Sequence, residues 1–128
     1  VLNSGTGSSR TASKPGEFSE LPLNRSEAVT VRKGFKDDLG QTVLPDASGG
    51  VVINMKELEP VRIDLSAPGT SIRPVSSLPV GSSFDSRTGV FHWKPVAGFI
   101  GQYRLVFVES GENGPVSRRE VIININSK

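Results

Sequence analysis

The chain has 128 residues, 35% of them hydrophobic, no cysteine, and a formal charge of +2. That length suits one domain, and the absence of cysteine excludes disulfides, thiolate metal sites and a cysteine nucleophile. Basic and acidic side chains are interspersed, so the small positive balance is not the clustered footprint of a nucleic-acid binder, and no apolar run reaches the roughly 20 residues of a membrane-spanning helix.

Residues 1–26 are rich in Ser, Gly, Thr, Pro and charge. They offer too little apolar surface to offset the entropy of ordering, and they read as a flexible tail. Leu21 and Leu23 are the exception, as a short extended piece able to dock on the body. Val1 stands where a whole chain would begin with Met, as expected of an excised fragment. The lack of a signal peptide then says nothing about export.

From residue 27 the sequence reads as short strands divided by turns. Val29, Val31 and Phe35 suggest a strand, Asp37, Asp38 and Gly40 a turn, and residues 43–45 a short extended piece. Residues 51–55 (VVINM) form a strand, and residues 56–59 a polar turn. Val61, Ile63 and Leu65 alternate with Arg62 and Asp64, the pattern of a half-buried strand. Residues 66–71 are a Pro/Gly loop, and residues 72–75 a short strand.

The richest stretch is residues 78–95, LPVGSSFDSRTGVFHWKP. Pro79 and Gly81 punctuate its start. Residues 85–89 form a turn in which Asp85 can cap backbone N–H groups and Gly89 can take a positive φ. Phe91 and Trp93 are two apart and share a strand face. Pro95 closes that strand, because it has no N–H to donate to a ladder. Gly98 and Gly101 flank a loop. In residues 102–109, Tyr103, Leu105 and Phe107 share one face, and Val106 with Val108 makes the other apolar too, so this strand is central. A hairpin loop at residues 110–115 leads to the last strand, residues 117–126, with Val121, Ile123 and Ile125 inward. Many short strands and no helical period predict an all-β sandwich. Its core holds Val61, Ile63, Leu65, Phe84, Phe91, Trp93, Tyr103, Leu105, Phe107 and Ile123. Its structural turns rest on Asp85, Thr88, Gly89 and Gly101.

Residues 57–126 carry a run of motifs in order: EPVRIDL at 59–65, LPVG at 78–81, FDSRTG at 84–89, FHWKP at 91–95, GQY at 101–103 and IININ at 122–126. This run resembles the bacterial putative-Ig and dystroglycan-type cadherin-like domains, whose patterns are LPxG, FdxxTG, FxWxP, GxY and a closing ItV. The resemblance implies an Ig-like, Greek-key antiparallel β-sandwich of about seven strands, found in tandem in secreted or cell-surface bacterial proteins. Such modules serve as spacers, adhesive units or accessory domains beside enzymes, so the expected partners are neighbouring protein domains, with polysaccharide as a further option. The domain is expected over residues 27–126, with 27–56 as extra N-terminal strands or the remnant of a preceding domain. Calcium-binding relatives hold acidic clusters in their loops. Here residues 66–71 (SAPGTS) have no carboxylate, although calcium needs six to eight oxygen ligands, so no cofactor and no metal requirement is expected. The absence of an inter-sheet cysteine pair sets the chain apart from antibody-type domains.

Five sharper readings stand beside this one. Trp93 and Tyr103 could stack a sugar, but aromatics dominate cores, and Tyr103 sits where a sandwich corner places a Tyr bonded to upstream backbone. His92 is the single histidine, and it alternates outward between Phe91 and Trp93 with no nucleophile beside it. Asp37, Asp38 and Asp46 are the weak metal candidates, more simply read as turn formers. Arg104, Arg118 and Arg119 could form a basic patch, but edge-strand charges explain them as well. Lys56 with Asn124 or Asn126 would suit an isopeptide bond only in a buried setting, whereas the alternation points both Asn side chains outward. No catalytic motif is present, and the chain is expected not to be an enzyme.

Overall fold

A computed structural model describes residues 20–34 and 40–127. Among these residues there is no helix, and therefore none long and apolar enough to cross a membrane. Nine strands form: β1 (Val29–Lys33), β2 (Gln41–Val43), β3 (Gly50–Lys56), β4 (Val61–Asp64), β5 (Ser71–Pro74), β6 (Ser83–Asp85), β7 (Val90–Trp93), β8 (Gly101–Gly111) and β9 (Gly114–Asn126). They make a five-stranded sheet of order β2-β1-β4-β7-β6 and a four-stranded sheet of order β3-β9-β8-β5.

The inner faces follow the period-two pattern. Val29 and Val31 of β1, Val61 and Ile63 of β4, and Phe91 and Trp93 of β7 face Val51, Ile53 and Met55 of β3, Leu105 and Phe107 of β8, and Val121, Ile123 and Ile125 of β9 in one core. Each fully buried aliphatic side chain there contributes about 1.5–3 kcal/mol. Phe84 and Tyr103 pack against this core while keeping part of their surface in water.

Four expectations need correction. First, the sandwich is not wholly antiparallel: β3 runs parallel to β9, with Val51 opposite Val121 and Lys56 opposite Asn126. The chain reaches β3 by crossing from the edge of one sheet to the other, not through a hairpin, so direction is not reversed. Second, the described residues form nine strands and not about seven, with β2 at the edge of one sheet and β3 at the edge of the other. The described strands between residues 27 and 56 pair within these two sheets. Third, the tail reading of residues 1–26 stops at the exception made for Leu21 and Leu23, where a short extended piece docks on the body. Leu23 forms a parallel bridge to Arg118, the Arg118 N–H donates to the Pro22 carbonyl at 2.8 Å, and the Asn24 N–H donates to the Arg118 carbonyl at 2.8 Å. Buried backbone groups need partners, and this segment supplies them for β9 just before β3 does. Fourth, the hairpin before the last strand is tighter than expected, since β8 runs on to Gly111 and β9 starts at Gly114, past an irregularity at Glu109/Ser110. Phe35, Asp37 and Asp38 lie outside the described residues.

Candidate functional site

The aromatic end of the sandwich is built from the motif-rich stretch. Trp93 is 0% exposed, and its indole N–H donates to the Val80 carbonyl at 3.1 Å. That carbonyl is aimed by the LPVG turn, where the Ser82 N–H and Oγ both reach the Pro79 carbonyl and Gly81 takes a φ of 88°. Tyr103 meets Trp93 edge-on at 5.0 Å and donates its hydroxyl to the Phe99 carbonyl at 3.1 Å. Phe84 packs on Phe107 at 5.1 Å between ring centres. These rings are spent on packing, and a buried Trp93 offers no face to a sugar.

The turn after β6 works as its residues demand. Oδ1 of Asp85 accepts from the Arg87 N–H at 2.9 Å, and the Asp85 carbonyl accepts from the Gly89 N–H at 2.7 Å. Gly89 has a φ of 74°, and a Cβ there would lie 3.1 Å from the Ser66 backbone. Thr88 is exposed within that turn, and Gly101 opens β8 with a φ of 143°.

At the other end lies a group that the sequence did not announce. Arg119 and Glu109 are both buried, at 2% and 3% exposure, and form an ion pair at 3.2 Å. Glu109 Oε1 also accepts from Asn24 Nδ2 at 2.8 Å and from Ser117 Oγ at 2.5 Å. Arg119 donates across the sandwich to the Leu65 carbonyl at 3.1 Å and to the Glu27 carbonyl at 3.4 Å. The network joins both sheets and the docked N-terminal segment, so both charges are compensated as burial requires.

Arg104, Arg118 and Arg119, read from the sequence as edge-strand charges in preference to a basic patch, are neither. All three are on β8 or β9, which are central and not edge strands. Arg119 is inside, Arg104 pairs with Glu120, and Arg118 Nε donates to the Leu21 carbonyl at 2.9 Å. A different row forms instead on the outer face of the five-stranded sheet, where Arg32 lies opposite Arg62 and Arg62 opposite His92. The signal was present, as outward positions between buried ones in β1, β4 and β7. The strand order that unites them was not.

Asp46 belongs to its own loop. Its Oδ1 accepts from Ser48 Oγ at 2.7 Å, from the Ser48 N–H at 2.9 Å and from the Gly50 N–H at 3.1 Å. The Ser48 hydroxyl, then the Gly50 N–H, hold its carboxyl below the usual Asp value. Among the described residues no three His, Asp or Glu side chains converge as metal ligands. Lys56 is exposed and pairs in register with exposed Asn126. Asn124 accepts from Gln102 and donates to Asn54, each at 3.0 Å, an amide ladder across three strands.

No protein-family model matches the chain, and no curated protein matches it. Among solved structures it is similar to an endo-fucoidan hydrolase of glycoside hydrolase family 107, with a TM-score of 0.45 and 11% identity. The match covers 62% of this chain and 12% of that one. A likeness that slight carries no argument about fold, substrate or activity.

Proposed function

We propose that this sandwich is an Ig-like, cadherin-like module of a larger secreted or cell-surface bacterial protein, acting as a spacer and protein-interaction unit and not as an enzyme. The observation that carries the reading is the path of the chain. It meets the four-stranded sheet where Leu23 bridges Arg118, and it leaves that sheet at Asn126. At about 3.3 Å per residue those points are roughly 25 Å apart along β9. A chain that comes in at one pole and goes out at the other adds length to whatever it joins.

Strand order supports the same reading. With β1, β4, β7 and β6 taken as A, B, E and D, and β5, β8 and β9 as C, F and G, both sheets follow the Ig constant-type order. On that view β2 and β3 extend the two sheets on one flank. The fully engaged buried charges, Glu109 and Arg119, favour a structural role over chemistry.

The chain has no cysteine, so Glu20→Cys with Ser127→Cys gives a doubly spin-labelled protein without background. Labels separated by more than about 25 Å support the spacer geometry, and labels within contact range overturn it. Release of reducing ends from a panel of polysaccharides by the unlabelled chain would overturn the non-enzymatic part.

A further inference from the structure

The outer face of the five-stranded sheet places two arginines and a histidine side by side. Arg32 on β1 is directly opposite Arg62 on β4, which is directly opposite His92 on β7. Arg62 and His92 are exposed and Arg32 half-buried. Lys94 extends the row, and one shallow depression is lined by all four. Neighbouring strands are about 4.8 Å apart, so the Arg32 and Arg62 groups stand at that interval with His92 on the next strand.

Like charges placed directly opposite on adjacent strands destabilise a sheet. Among the described residues neither guanidinium has an acidic partner: the ion pairs are Arg104 with Glu120 and Arg119 with Glu109. Asp64, outward on β4 like Arg62, and the acids Asp85 and Glu59 also hold turns. Asp64 accepts from Ser66, Asp85 from the Arg87 N–H, and Glu59 from the Lys56 N–H. Two arginines kept directly opposite one another on a sheet point to a role other than stability.

We propose that this face binds an acidic polysaccharide, through its sulfate or carboxylate groups. Guanidinium forks bond such oxyanions bidentately, and a flat face with adjacent cationic groups suits an extended polymer. Single-stranded nucleic acid fits less well, because it needs stacking platforms. Among the described aromatics, Phe91, Trp93 and Phe107 are buried, and Phe84, Phe99 and Tyr103 pack on the core. A neutral sugar lacks the charge that this row would recognise. The proposal goes beyond the spacer reading and does not depend on it.

The test uses the whole chain with dextran sulfate, polygalacturonate, neutral dextran, polyglutamate and a single-stranded oligonucleotide as probes. Dextran sulfate or polygalacturonate should bind at low salt and weaken about tenfold or more as screening rises; which of the two binds more tightly separates sulfate from carboxylate recognition. Neutral dextran should not bind. Arg32→Gln with Arg62→Gln should weaken binding roughly tenfold or more, while Lys56→Gln, on the other sheet, should not. The same double variant should melt a few degrees higher, because the repulsion is gone. Loss of binding together with raised stability is the expected signature. Absence of binding to both acidic polysaccharides, or undiminished binding by the double variant, overturns the proposal. Equal or tighter binding of the oligonucleotide or polyglutamate through the same residues overturns the ligand class.

Discussion

The two ends of this sandwich are closed by opposite chemistry. At one end Trp93, Tyr103 and Phe99 pack on one another, with Trp93 bonded to the Val80 carbonyl and Tyr103 to the Phe99 carbonyl. At the other, Arg119 and Glu109 sit buried among carbonyls and an amide. The aromatic end gains from burial itself and keeps its two polar groups, the Trp93 N–H and the Tyr103 hydroxyl, satisfied. The ionic end gains little from burial and is stable only while every partner is in place. The first end should therefore fail locally and gradually, and the second as a unit.

Single substitutions should hurt both ends alike, while pairs should separate them. Trp93→Ala is expected to cost about 3–5 kcal/mol through lost contacts and a cavity. Arg119→Met should cost about 3–5 kcal/mol, because Glu109 is left charged and unpaired. Adding Glu109→Leu to Arg119→Met should recover most of that loss, since both desolvated charges are gone. No partner substitution should rescue Trp93→Ala. Urea midpoints at constant m-value measure these three variants and Glu109→Leu alone. An additive double variant would show that the two charges do not act as a pair.

A smaller break probes the N-terminal segment. Asn24→Ala removes the amide that Glu109 Oε1 accepts from, and also the carbonyl side of that amide, which caps the Ser26 and Glu27 N–H groups. The expected cost is about 1–3 kcal/mol, the range for leaving a buried acceptor short of a partner. An unchanged midpoint would mean that residues 20–26 rest on the sheet without contributing to it.

Gly89→Ala tests the turn between β6 and β7, which rests on Leu65 beside the ionic end. The residue has a φ of 74°, and its added Cβ would press on Ser66 at 3.1 Å. The left-handed conformation alone costs about 1–2 kcal/mol for a side-chain-bearing residue. A variant as stable as the parent would show that the turn relaxes at no cost.

The same contrast explains what could be read from the chain. The aromatic end was legible because its parts are local: LPVG, FDSRTG and FHWKP lie within one short stretch, and turn chemistry with two-residue alternation places Trp93 inward. The sheet faces of β4, β7, β8 and β9 followed from alternation in the same way. The ionic end was not legible because Arg119 meets Glu27 and Leu65 from distant parts of the sequence. An inward Arg on an apolar strand looks, by composition, like an exposed one. The parallel pairing of β3 with β9 and the Arg32–Arg62–His92 row were hidden for the same reason. Alternation assigns a face to each residue, but only strand order says which faces adjoin.

The mildest test concerns Asp46, between β2 and β3. Hydrogen bonds from Ser48 and Gly50 favour its ionised form and lower its pKa in the folded state below the ordinary 3.8. A depressed folded value means that ionised Asp46 stabilises the loop above the unfolded pKa, and that the contribution fades as pH falls through the lower folded value. Stability should thus begin to drop just below pH 4 and level off once the folded carboxyl is protonated. Asp46→Asn should flatten that part of the curve and leave the acid end unchanged. The side chain is fully exposed, so the effect should shrink with added salt. A carboxyl carbon titration by NMR reads the folded value directly. A midpoint at or above 3.8 would mean that the loop does not hold the charge, and the order of residues 46–50 would then have to come from the β3 pairing alone.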